Sequence, residues 1–95
     1  MKSKPSKNVF KDLGFTAEEA DNLRIRSALM IEITEHIRQA ELTQKAAAQL
    51  LGVAQPRISD ITRGRIEVFS IDTLIAMLSR LGVKTSIRVG NKNVA

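Results

Sequence analysis

The stretch TQKAAAQLLGVAQPRISDITRG, residues 43–64 of a 95-residue chain, leaves few folds open. Ala48 is small where two helices would approach most closely. Gly52, four residues on, supplies the unusual backbone angles of a tight turn. Val53 is an apolar plug directly after that turn, and Ile58 and Ile61, three apart, give a second short helix its inward edge. Leu51 completes the seam. Each feature is common alone. In this order they describe two helices crossing steeply over a tight turn, a helix-turn-helix.

The flanking sequence builds a small domain around this pair. Thr16 with Glu19 forms a capping box for a long helix over 17–40, with Glu18 and Asp21 favouring its positive end. Leu23, Met30, Ile33 and Ile37 make one apolar stripe along it; Ile25 and Leu29 lie to the side. That leaves either one wide core face or two packing partners. Thr43 caps a helix over 44–51, ended by Gly52; a third lies within 55–63, stopped by Gly64. Ser70 caps a fourth over 71–81, with Leu74, Ile75, Met77, Leu78 and Leu81 apolar. RIEVF, between the third and fourth, is a linker without a strong signal.

VKTSIRV then alternates, with Val83, Thr85, Ile87 and Val89 on one face, which predicts a short strand over 83–89. A lone strand needs a partner. The same strand of a second copy, paired about a two-fold axis, supplies one; packing on its own chain is the alternative. Residues 1–8 read as a mobile tail, and Val9, Phe10, Leu13 and Phe15 as an apolar patch closed by Gly14. The expected organisation is a tail and patch over 1–15, a domain over 16–89 and a tail over 90–95.

An apolar fraction of 43% suits one globular domain with a modest core. No cysteine is present, so disulfides and thiolate metal sites are out. No apolar run is long enough to cross a membrane and none follows the basic start, so a cytoplasmic protein without a secretory signal is expected. The net charge of +5 is unevenly spread. Residues 1–12 carry +3, 17–41 carry −3 and 43–65 return to +3, placing cations in the tail and around the motif. That suits an anion-binding face. With three phenylalanines as the only aromatics, a sheet that stacks single-stranded bases is disfavoured.

LTQ…LGV.QPR.S….G resembles the XRE or Cro-type helix-turn-helix of bacterial and phage repressors. FS.D.L…L..LG, with the preceding DLGF…EEA and the following strand, makes the chain similar to the HigA-type antitoxins within that family. The resemblance covers roughly residues 9–89. It implies an all-α, lambda-repressor-like domain of about four helices, here with a short C-terminal β-strand used in dimerisation. Phage repressors usually continue into a fifth helix instead, so their manner of dimerising does not carry over. The resemblance further implies a homodimeric repressor on a palindromic operator in double-stranded DNA, and an antitoxin that masks a ribonuclease toxin and represses their shared operon. The alternative is a stand-alone regulator without a toxin partner.

Pro56 stands where the second motif helix should run. Proline forces the residue before it out of helical angles, so Gln55 is expected not to be helical. Gln55 is therefore expected as N-cap and Pro56 as the first helical residue, where the missing N–H has no intrahelical role. At 100° per residue, Pro56, Ser59, Asp60 and Arg63 then face outward and Arg57 lies on the flank. The N-terminal part of this helix meets base edges in such complexes. Gln55 suits adenine, Arg57 guanine, and Pro56 an apolar contact with a thymine methyl. Arg57 could equally hold a phosphate. Asp60 has two roles open: accepting from cytosine, or pairing with Arg57 or Arg63. Thr43, Gln44 and Lys45 at a helix N-terminus, with Ser59, Arg63, Arg65 and Ser70, are the candidate phosphate contacts.

Catalysis finds little support. His36 is the sole histidine; Glu32, Glu35 and His36 share a helix face, with a solvated surface as the plain reading and a metal site as the other. No nucleophile motif or phosphate-cradling glycine loop occurs. No enzyme activity, cofactor or metal is expected.

Overall fold

A computed structural model describes residues 9–90; the expected tail over 1–8, and all but the first residue of that over 90–95, lie outside the described residues. Five helices follow one another: α1 (Val9–Asp12), α2 (Ala17–Gln39), α3 (Gln44–Leu51), α4 (Gln55–Thr62) and, after a 3-10 turn at Ile66–Val68, α5 (Ile71–Arg80). The extra helix relative to the sequence reading is α1, a single turn in the VFKDLGF patch. Phe10 sets its ring edge-on to Phe15, with centroids 6.3 Å apart.

The predicted caps form. Glu19 N–H donates to Thr16 Oγ1 at 3.1 Å and Thr16 N–H to Glu19 Oε1 at 2.9 Å, closing the capping box of α2. Ala46 N–H donates to Thr43 Oγ1 at the start of α3, and Thr73 N–H to Ser70 Oγ at the start of α5.

Helices α2, α3, α4 and α5 wrap one core. Ile33, Ile58 and Leu74 are wholly buried, with Ile61, Phe69, Met77, Leu78, Met30 and Leu51 nearly so. Ala47 and Ala48 are also buried, and α3 packs against both α4 and α5. Small side chains there let the helices approach, the role expected of Ala48. Along α2 the predicted stripe points inward at Met30, Ile33 and Ile37, while Ile31, 59% exposed, faces out.

Among the described residues, four helices close with the same pair of backbone bonds, the residue at the cap or just after it sitting at left-handed angles. Gly52, Gly64 and Gly82 fill that position after α3, α4 and α5. After α2 it is Glu41, at φ 56°, with its N–H on Arg38 O and Leu42 N–H on Ile37 O.

The C-terminal strand is not present. Among the described residues none is in a strand, and 83–90 run on without regular secondary structure. A strand exists through its ladder, and the one other stretch that might have paired, RIEVF, is a 3-10 turn. Val83 and Thr85 are half-buried, but Ile87 and Val89 are 74% and 87% exposed, so the alternation finds an inner face only at its start. No described helix is long and apolar enough to cross a membrane.

Candidate nucleic-acid interface

The start of α4 sets the interface, and it lies one residue earlier than Pro56 alone implies. Ala54 is the N-cap, with φ −71° and ψ 149°; Gln55 is the first helical residue and Pro56 the second. Proline's effect on its predecessor is a steric bias and not a bar: Gln55 takes helical angles, and the first turn asks no N–H of Pro56 in either position. Arg57 N–H closes that turn on Ala54 O at 2.9 Å. Because an alanine caps the helix, the Gln55 side chain is not spent on capping. Gln55 and Pro56 are both exposed, while Ile58 and Ile61 anchor the opposite edge of α4 in the core.

Arg57 is engaged within its own chain. Its Nη2 donates to Val68 O at 3.3 Å, and its guanidinium carbon stands 4.6 Å from the centroid of the buried Phe69 ring. Leaving those partners forfeits about 0.5–1.5 kcal/mol of hydrogen bond and about 0.5–1 kcal/mol of cation–π attraction. A bidentate guanine contact contributes about 1–3 kcal/mol, which is of the same size. Swinging out to a base therefore gains little.

Asp60 joins two candidate phosphate ligands. Its Oδ1 lies 3.5 Å from Arg63 Nη2 and 4.0 Å from Arg65 Nη1. The Asp60 side chain is 19% exposed, against 62% and 49% for the arginines, so the carboxylate sits behind two outward-facing cations. Arg65 also donates from Nε to Glu67 at 3.4 Å. Ser59 is half-buried.

At the start of α3, Thr43, Gln44 and Lys45 are exposed, with the Thr43 oxygen serving as the cap. Ser70 is exposed beside Phe69, its hydroxyl 2.9 Å from that of Thr73. The structure thus links Asp60, Arg63 and Arg65 directly and ties Arg57 to the segment leading into Ser70. No ion pair or hydrogen bond joins Thr43, Gln44 or Lys45 to α4 among the described residues.

Two arginines outside the expected set matter to this architecture. Arg26 on α2 donates from Nη1 to Ile66 O at 3.3 Å and Phe69 O at 3.1 Å, steadied by Asn22 through Nε at 2.6 Å. Arg80 on α5 donates from Nε to Leu50 O at 3.2 Å. All their distant acceptors are backbone carbonyls, which carry no residue-specific signal.

The acidic face of α2 pairs locally. Arg38 Nη2 donates to Glu35 Oε1 at 2.6 Å, and this contact holds the Glu35 carboxyl below its ordinary range. His36 Nε2 lies 3.7 Å from Glu32. Among the described residues no group of three or more metal-ligating side chains gathers.

Comparison with known proteins follows the same outline. Residues 9–90 match the family model described as a helix-turn-helix domain. An uncharacterized HTH-type transcriptional regulator of Haemophilus influenzae is 34% identical over 80 residues, covering 84% of this chain and 81% of that protein. A solved structure assigned to the XRE family of transcriptional regulators superposes with a TM-score of 0.74 at 28% identity, covering 81% of this chain and 86% of the other.

Proposed function

Since this chain belongs to the helix-turn-helix domain family and is a regulator of XRE type, typically non-enzymatic, we propose that it represses transcription by binding a palindromic operator as a homodimer. One observation carries the reading: α4 buries Ile58 and Ile61 while leaving Gln55, Pro56 and Arg63 exposed, one tight turn after α3. Gln55 reads adenine and Pro56 meets a thymine methyl. Arg63, Arg65, Ser59 and Ser70, with Thr43, Gln44 and Lys45 at the N-terminus of α3, hold phosphates.

The test is a mobility-shift titration on DNA from upstream of the chain's own gene. Expected are a discrete complex and an affinity falling with salt at a log–log slope of about −0.9 per phosphate contacted. No complex at micromolar protein sinks the reading.

The homodimer forms over the apolar surface of Ile25, Leu29, Ile71, Ile75 and Ile87, which line one groove. Sedimentation checks it: Ile87→Asp should yield monomers from a wild-type dimer, and a wild-type monomer at micromolar concentration removes the dimer.

A finer reading is an antitoxin of HigA type that masks a ribonuclease toxin and represses their common operon. It is supported by a surface that DNA binding does not use. A groove of about 440 Å³ runs between α1, α2 and the end of α4, lined by Phe10, Met30, Ile31, Ile61 and Ile66, with the acidic Glu35 at its side. Co-expression with a small basic protein encoded next to this chain should give a complex that Ile31→Glu disrupts while operator binding persists. No complex leaves the stand-alone regulator.

A further inference from the structure

We infer that Arg57 is a positioning residue for the interface and not a reader of bases: with Arg26 it fixes the 65–69 segment, and through it Arg65. This rests on the DNA-binding reading above.

Three features of the fold carry it. First, the segment's own polar bonds gather at its start, where Arg65 N–H donates to Asp60 O at 2.9 Å and Arg65 Nε to Glu67 at 3.4 Å, and thin out towards Val68. The 3-10 turn Ile66–Val68 has no side-chain cap, and its internal bond from Val68 N–H to Arg65 O is long at 3.3 Å. Second, its carbonyls are met by arginines of two different helices. Arg57 from α4 takes Val68 O; Arg26 from α2 takes Ile66 O and Phe69 O. Third, Phe69 is buried in the core and its ring faces the Arg57 guanidinium, so the segment's end and the base-facing turn of α4 share one anchor.

The segment begins at Arg65, whose guanidinium reaches the Asp60 carboxylate of α4, and leads into Ser70, the cap of α5. Fixing it places a phosphate-binding cation and a capping hydroxyl in register with the exposed Gln55–Pro56 edge before DNA arrives. Ordering done in the free protein need not be repeated on binding. A planar fork suits the task. Lysine keeps the charge but neither stacks as guanidinium does nor presents its donors in a fixed plane.

The experiment is a double-mutant cycle of Arg57→Ala and Arg65→Ala, read as operator affinity, together with Arg57→Lys, Arg26→Ala and a panel of single-base operator variants. Arg57→Ala should weaken the operator and every base variant alike, by roughly 3- to 10-fold, the order of affinities being kept. In the Arg65→Ala background its effect should shrink towards none, because Arg57 acts through Arg65. Arg57→Lys should fail to rescue, and Arg26→Ala should reproduce the uniform loss from a residue on another helix. Additive losses, discrimination lost at a single guanine, or full rescue by lysine overturn the inference.

Amide hydrogen exchange supplies a readout without DNA. In Arg57→Ala, Val68 N–H should exchange faster while amides of α3 and α4 keep their protection. If the wild-type protein binds no operator, the DNA-binding reading falls by itself; unchanged exchange at Val68 overturns the clamp whatever the DNA result.

Discussion

The guanidinium of Arg80 presses close on the space into which a Cβ on Gly52 would project. A methyl built there lies 3.0 Å from Arg80 Nη2 and 3.1 Å from its Cζ and Nε. Gly52 is also at φ 71°, which L side chains disfavour by about 1–2 kcal/mol. The turn between α3 and α4 is thereby tied to α5, since the same arginine donates to Leu50 O.

Gly52→Ala should therefore destabilise the domain by about 2–3 kcal/mol, combining backbone strain with loss of the Arg80 bond. Arg80→Ala alone should cost about 0.5–1.5 kcal/mol. The double variant should lose less than the two single losses added, because the displaced partner is already gone. Urea unfolding of the four proteins measures this directly. Strict additivity would mean that Arg80 and Gly52 do not share the turn.

Glu41→Gly should stabilise the protein. Glu41 fills the left-handed position that glycine fills after α3, α4 and α5, with the same two backbone bonds. Relief of the left-handed cost exceeds glycine's extra entropy in the unfolded chain by about 0.5–1 kcal/mol. For a domain of this size that is a rise in Tm of roughly 2–8 °C. A fall in Tm would mean that the Glu41 side chain contributes more than its backbone strain removes.

These two sites mark where the sequence was legible and where it was not. Caps were legible because they are local: Thr16 with Glu19, Thr43 and Ser70 each bind a backbone N–H three residues away, and such pairs read directly from spacing. So were Ile58, Ile61 and Ala48, whose burial follows from helical period and from the tightness of the turn. The start of α4 missed by one residue, because proline tolerates two adjacent positions in a first turn that needs no N–H. The strand expected over 83–89 does not form, since alternation describes a face and not the ladder that makes a strand. Arg26 and Arg80 escaped, and Arg57 read as a base or phosphate contact, because their acceptors are main-chain carbonyls up to 43 residues distant, set by tertiary packing alone.

Asp60→Asn separates the two roles that remained open for Asp60. In the structure the carboxylate stands behind Arg63 and Arg65. Removing it should cost under about 1 kcal/mol of stability, as for other largely surface pairs. It also removes a negative charge that repels phosphates by about 1 kcal/mol at close range in water, so operator affinity at low salt should rise by roughly fivefold. The gain should fade with added salt. If Asp60 accepts from a cytosine instead, the same variant loses affinity, and only on operators carrying that base pair.

Pro56→Ala should leave α4 where it is. As the second helical residue Pro56 sits among N–H groups that have no intrahelical acceptor, so an alanine there adds a donor without adding a bond. What changes is the unfolded chain, which gains freedom and lowers stability by about 0.4–1 kcal/mol. Helix content by circular dichroism should be unchanged. On DNA the new N–H faces the same direction as the exposed proline ring, and a general tightening across operators means that it has found a phosphate. Loss confined to operators with one particular A·T pair means that the ring had been packed on a thymine methyl. A collapse of helix content would instead show that Pro56 directs the start of α4, where Ala54 supplies no side-chain cap.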